Sequence, residues 1–297
     1  MATGDPLLDF ALSLRDGSLT PAMKAVSDAN SAYAYVLFVP LIYWLLSRRI
    51  GFRLMIADAA GTAATVIMKD GLAMPRPPDA GETAWLASAD GYGFPSGHTT
   101  AAATTWGTLA ALTKRWPLVV FGVAVTAAVA LSRMYLGVHY GRDVIGGAAV
   151  GLAIALAVLL VAPSLETRLA KLSRPQQYAA VLVFPAMLLL NSSREAIVID
   201  FAAAGAVAGH LAANDLKWMV PTGDPRKLPL FGALRLAIGL PVIVLLAVGL
   251  GSPGSAEPWA LAVRFGVLGA FVTLLGPRLF QLVEAKVRPK RAADPVT

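Results

Sequence analysis

The chain has 297 residues, of which 57% are hydrophobic and 14% charged, with mean hydropathy +0.65, net charge +7 and no cysteine. A water-soluble domain carries roughly 25% charged residues, so the composition excludes an ordinary soluble enzyme, and the weight of Leu, Ala and Val excludes a disordered or collagen-like chain. The class that remains is all-α, a polytopic integral membrane bundle. Lack of cysteine rules out a disulfide scaffold and says nothing about compartment. In so apolar a chain a pI near 9.8 points to basic cytoplasmic loops and no nucleic-acid partner.

In chain order, residues 1–30 precede the first long apolar run. Leu7, Leu8, Ala11, Leu12 and Leu14 recur at helical spacing beside Asp9 and Arg15, which predicts an interfacial amphipathic helix. Asp5, Asp9 and Asp16 interrupt the segment, and no basic stretch leads into an apolar one, so it does not read as a signal peptide.

A spanning helix needs about 20 mostly apolar residues to cross about 30 Å of hydrocarbon. Runs near 31–47, 52–72, 98–113, 117–138, 143–162, 177–190, 195–213, 231–250 and 259–282 predict about nine spans, with Pro40 inside the first and Pro185 inside the sixth. The chain therefore divides into the segment 1–30, a core over 31–165, and a further set of spans with a basic tail over 166–297.

Orientation follows from the basic residues. With nine spans, alternate loops hold Arg48, Arg49 and Arg53; Lys114 and Arg115; Arg168, Lys171 and Arg174; Lys217, Arg226 and Lys227; and Lys286, Arg288, Lys290 and Arg291, fifteen in all. The other side holds Arg15, Lys24 and Arg194, plus Lys69, Arg76, Arg133 and Arg142 at span ends. Excess Lys and Arg mark the cytoplasmic side, which predicts an extracytoplasmic amino terminus and a cytoplasmic carboxyl terminus. The loop Asp215 to Lys227 and the tail Lys286 to Arg291 then read as topology signals and contacts to anionic lipid.

Three segments put cations, histidines and an acid together on the extracytoplasmic side. They are Lys69-Asp70-Gly71-Leu72-Ala73-Met74-Pro75-Arg76-Pro77, Gly93-Phe94-Pro95-Ser96-Gly97-His98, and Ser132 to Asp143. Lys69, Arg76 and Arg133 are fixed cations, and a guanidinium fork matches phosphate oxygens. Ser96 and Gly97 open a helix, where free amides and the dipole favour an anion and Gly97 admits close approach. His139 and Asp143 are four apart, so on a helix they share a face and the carboxylate can hold the imidazole in one tautomer.

The spacing Lys, six residues, Arg-Pro; then Pro-Ser-Gly-His; then Ser-Arg, five residues, His, three residues, Asp resembles the signature of the type 2 phosphatidic acid phosphatase and vanadium haloperoxidase superfamily, in its membrane-bound phosphatase branch. About a dozen positions agree, over roughly residues 30–165. The resemblance implies a phosphatase that needs no metal or other cofactor. His139 would be the nucleophile that becomes a phosphohistidine, Asp143 would orient it, and His98 would protonate the leaving alcohol. Lys69, Arg76, Ser96, Gly97 and Arg133 would hold the phosphoryl oxygens. The sequence shows no acidic cluster of the kind that holds Mg2+, since Asp70, Asp79, Glu82, Asp90 and Asp143 are scattered.

A site at span ends lets a phosphate meet the cations while a tail stays in the bilayer. The expected partners are therefore the bilayer and a phosphorylated lipid, phosphatidic acid or a polyprenyl phosphate. The alternatives are a hydrolase of a soluble ester, similar to nine-span glucose-6-phosphatase; a lipid phosphotransferase; and, in a different class, an anionic-lipid transporter or flippase. Elsewhere, Asp58, Asp200 and His210 lie inside apolar runs and read as packing hydrogen bonds. Gly147 and Gly151 read as a close approach of helices within the chain. Asn191-Ser192-Ser193 matches an acceptor sequon.

Overall fold

The computed structural model describes residues 3–187, 189, 193–218, 229–249 and 256–287. The sequon residues Asn191 and Ser192, the loop residues Arg226 and Lys227, and Arg288, Lys290 and Arg291 of the tail lie outside the described residues.

Thirteen α-helices follow in order among the described residues. They are α1 (Pro6–Ser13), α2 (Thr20–Asp28), α3 (Ala32–Leu41), α4 (Arg48–Leu72), α5 (Gly97–Thr113), α6 (Trp116–Tyr135), α7 (Gly141–Leu169), α8 (Arg174–Ala180), α9 (Val183–Met187), α10 (Arg194–Asp215), α11 (Pro229–Val244), α12 (Pro258–Ala270) and α13 (Gly276–Val287). Three π-helical turns, Ile42–Leu46, Leu245–Gly249 and Phe271–Leu275, extend α3, α11 and α12. Each lies within a few residues of a proline (Pro40, Pro241, Pro277), whose missing N–H and ring disturb the regular ladder. The chain is a polytopic, all-helical membrane bundle.

Six helices among the described residues are long and apolar enough to cross a membrane, and a seventh span is formed if the pair Thr20–Asp28 and Tyr33–Leu46, bent by 59°, counts as one. About nine spans were expected, and the two that fall short of the length of a span are the runs at 98–113 and 177–190. The run at 98–113 forms α5, whose 17 residues are fixed between the Pro95-Ser96 turn and Lys114, where φ of 53° ends the helix in the left-handed region. The run at 177–190 breaks into α8 and α9 with a turn at residues 181–182, because the ring of Pro185 cannot follow the carbonyl four residues earlier.

The broken stretch still runs along α10. Arg174 Nε lies 2.9 Å from Asp215 Oδ1, and Tyr178 Oη donates to Asp215 Oδ2 at 2.9 Å, at the end of α10. At the other end of α10 Ser193 accepts from Ala196 N. A helix of 22 residues is about 33 Å long, and α8 starts beside its carboxyl end.

The centre of the first half is the packing of α5 against α7. A Cβ on Gly147 would lie 2.7 Å from Ser96 O, and one on Gly151 would lie 2.6 Å from both Ala103 Cβ and Thr100 O, so these glycines bring two helices of one chain together. Asp58 of α4 accepts from Thr105 Oγ1 of α5 at 2.7 Å. His210 stacks on Phe52, ring centroids 4.8 Å apart.

A larger apolar core gathers Trp44, Ile197, Val198, Phe265, Leu268, Phe271 and Phe280 between α3, α10, α12 and α13. Arg235 and Glu284 are buried in it: Arg235 Nε donates to Glu284 Oε1 at 2.8 Å and Nη1 to Trp44 O at 2.7 Å.

The amino-terminal helix has the expected period, but its apolar face enters the bundle. Leu8 and Ala11 are fully buried against Met134 and Val144, while Leu7 and Phe10 stay exposed. Asp5 caps α1 by accepting from Leu7 N and Leu8 N, and its second oxygen accepts from Gly141 N at 2.8 Å. That amide belongs to the first turn of α7 and has no partner within its own helix.

Candidate active site

The three motifs converge at one end of the bundle, at the end of α4, the start of α5 and the turn between α6 and α7. Lys69 sits in the last turn of α4, which closes on Ala73 in the left-handed region. Its Nζ donates to Tyr92 O at 2.5 Å. Arg76, in the following loop, is held by carbonyls: Nε donates to Gly91 O at 3.0 Å, Nη2 to Asp90 O at 2.8 Å and Nη1 to Val138 O at 2.9 Å.

The second motif is pinned between the other two. Gly93 N donates to Met74 O at 2.8 Å and Ser96 N to Asp143 O at 2.9 Å. Only glycine fits at 93, where a Cβ would lie 2.8 Å from Asp143 Oδ2. The Phe94 ring occupies the space beside Gly146, where a Cβ would lie 2.3 Å from it. Ser96 is fully buried at the N-cap of α5, with Oγ accepting from Thr99 Oγ1 at 3.1 Å. The Cβ direction of Gly97 meets nothing closer than a Thr65 methyl at 3.8 Å. The backbone at Gly97 is thus not crowded by neighbouring side chains. His98 follows in the first turn of α5.

The third motif brings the acid to the base. His139 Nδ1 lies 3.3 Å from Asp143 Oδ2, and both side chains are buried. The expectation that they share a helical face needs correction, because α7 starts only at Gly141. His139 stands before the helix, and the Asp143 carboxylate turns back to it while accepting from Tyr140 N at 3.0 Å, a reciprocal cap of the helix start. The other imidazole nitrogen, Nε2, is 3.0 Å from Arg76 Nη1. A guanidinium only donates, so Nε2 must carry the lone pair and Nδ1 the proton, which Asp143 accepts. Burial, and then the charges of Arg76, Arg133 and Lys69, hold the His139 imidazole well below its ordinary value of 6.5. It is therefore neutral at physiological pH.

Arg133 closes the group from the last turn of α6. It is buried, with Nη1 2.6 Å from Ser27 Oγ and Nε without a partner. All eight residues singled out from sequence thus meet at one end of the bundle. Sequence reasoning missed Ser27, Asp5 and the carbonyls of 90–92, since nothing local to them marks a contact with α6, α7 or Arg76. Arg15, counted only as a basic residue, donates to Tyr135 O and Glu82 O at 2.7 Å each and ties the amino-terminal segment to this end. Among the described residues no three metal-ligating side chains gather.

A buried, acid-oriented imidazole among fixed cations, at one end of a membrane bundle, is an arrangement suited to an anion. Residues 50–166 match the model of the PAP2 superfamily, a stretch that takes in all three motifs, as the resemblance implied. Among solved structures, the crystal structure of the first transmembrane PAP2-type phosphatidylglycerolphosphate phosphatase from Bacillus subtilis is similar at 22% identity and a TM-score of 0.44, covering 51% of this chain and 80% of that one. No curated protein matches.

Proposed function

We propose that the chain is a metal-independent phosphatase that hydrolyses a lipid phosphomonoester, phosphatidic acid or a polyprenyl phosphate, at the extracytoplasmic membrane surface. The observation that carries this reading is the buried imidazole of His139, with Nδ1 on Asp143 and Nε2 facing the Arg76 guanidinium. The PAP2 match over residues 50–166 supports it.

In the first step the Arg76 Nη1–H that meets Nε2 of His139 turns to a phosphoryl oxygen, the freed Nε2 lone pair attacks phosphorus, an N–P bond forms, and the P–O ester bond breaks. His98 gives its proton to the leaving alkoxide. The proton stays on Nδ1, and the Asp143 carboxylate, which accepts its hydrogen bond, balances the charge that develops on the ring. In the second step water attacks phosphorus, His98 takes the water proton, and the N–P bond breaks to release phosphate and neutral His139. Lys69, Arg76, Arg133, Ser96 and the Gly97 amide hold the phosphoryl oxygens. Phosphoryl transfer depends chiefly on such positioning and charge stabilisation, and the three cations supply the positive charge.

The lipid preference rests on place. The group lies at helix ends, and apolar side chains such as Leu72 of α4 and Ile145 of α7 are exposed beside it. The extracytoplasmic side is supported by the fifteen Lys and Arg that fall in the alternate loops of a nine-span layout.

Purified protein in chelator should release free phosphate from phosphatidic acid and polyprenyl phosphate. Turnover of glucose 6-phosphate alone would overturn the lipid preference. Loss of all turnover on removing divalent metal would overturn the mechanism, and phosphate found on a second alcohol would make the chain a transferase.

A further inference from the structure

We infer that Ser27, in the amino-terminal segment outside the PAP2 match, is a positioning residue that holds the Arg133 guanidinium for the phosphoryl group. The inference rests on the phosphatase reading above.

Ser27 Oγ lies 2.6 Å from Arg133 Nη1. Ser27 is 2% exposed and Arg133 4%, so water does not compete for the bond. Among the described residues this is the one side-chain hydrogen bond to the Arg133 guanidinium, and Nε is buried without a partner. In a guanidinium the N–H bonds of Nε and Nη2 run parallel along one edge, which suits two phosphate oxygens. Ser27 occupies Nη1, so it fixes the plane and leaves that edge for a ligand.

The docking of α2 explains why Ser27 is in place. Thr20 and Ser27 are seven residues apart, so they share one face of α2. Thr20 Oγ1 lies 3.0 Å from Tyr135 Oη, two residues beyond Arg133. Arg15 and Asp5 anchor the preceding chain to Tyr135 O and Gly141 N. Four bonds thus seat the segment 5–27 on the ends of α6 and α7, and Ser27 is the one that reaches a phosphate-facing cation.

An arginine pays rotamer entropy to be held in one pose, and a hydrogen bond to a charged group is a strong one. Ser27→Ala should cut kcat about tenfold while KM for a phosphatidic acid substrate changes by about twofold or less, because the charge that Arg133 meets grows toward the transition state. Ser27→Thr keeps the hydroxyl and should restore most of kcat.

Asn30→Ala is the control for a merely structural role. Asn30 bonds Tyr35 Oη and Val26 O in the same segment without touching Arg133, so it should leave kcat near wild type. The inference is overturned, with the phosphatase reading intact, if the wild type turns over and Ser27→Ala matches it, or if Asn30→Ala loses as much as Ser27→Ala. A folded wild type that releases no phosphate overturns the phosphatase reading and this inference with it.

Discussion

His139 and Asp143 meet across the start of a helix, Nδ1 to Oδ2 at 3.3 Å, with the carboxylate also capping Tyr140 N at 3.0 Å. One acid thereby orders both the helix entrance and the imidazole, so the tautomer of His139 is tied to the fold of the α6–α7 turn. The first consequence concerns the acid. Asp143→Asn keeps the shape but offers Nδ1–H a weaker, reorientable partner, and kcat should fall roughly 10^3- to 10^4-fold, as when an orienting carboxylate is neutralised beside a catalytic histidine. Steady-state phosphate release measures it, with KM changing far less.

The pH profile follows from the direction of the His139 shift. Its imidazole is held well below 6.5, by burial first and then by Arg76, Arg133 and Lys69. The nucleophile must be neutral, so activity on the acid side should persist below pH 6.5 and fall only as His139 protonates at lower pH. Neutralising one of the cations, as in Arg76→Gln, should move that acid limb toward higher pH. A profile of kcat/KM in the two proteins gives the answer.

Much of this site is legible in the sequence, and the reason is local. Lys69, Arg76, Ser96, Gly97, His98, Arg133, His139 and Asp143 are marked by residue type at fixed spacing, and turns and helix starts hold such spacing without the rest of the fold. Ser27, Asp5 and the carbonyls of residues 90–92 carry no local mark, because their roles arise only when α2 docks on α6 and the loop folds over Arg76. The spans show the same division. A hydropathy window finds α4, α6, α7 and α10, but it averages across Pro185 and so cannot see that the stretch at 177–190 is two short helices.

The close approach of α5 and α7 should be sensitive to volume. Gly151→Val would put a Cβ 2.6 Å from Ala103 Cβ and from the backbone oxygen of Thr100. Overpacking against backbone costs about 1–3 kcal/mol, so Tm should drop by several degrees. Gly71→Ala, where a Cβ meets nothing within 4 Å, should leave Tm unchanged or slightly raised, since alanine is the better helix former. Thermal unfolding in one detergent compares the two.

The buried pair Arg235–Glu284 lies near Trp44, at the end of the bundle away from His139. Arg235→Met would leave Glu284, 2% exposed, as a buried charge without this partner, at a cost of about 3–5 kcal/mol. Replacing both, Arg235→Met with Glu284→Leu, should recover most of it. Turnover per folded molecule should stay at the wild-type level in either variant, and denaturation combined with an activity assay separates the two effects.

In the proposed mechanism His139 Nε2 becomes bonded to phosphorus. Wild-type protein mixed with a phosphatidic acid labelled on its phosphate, quenched in alkali where phosphohistidine survives, and digested should carry the label on the peptide containing His139. The His139→Ala variant should carry none and release no phosphate. Label on another residue, or sustained phosphate release by the His139→Ala variant, would contradict the account.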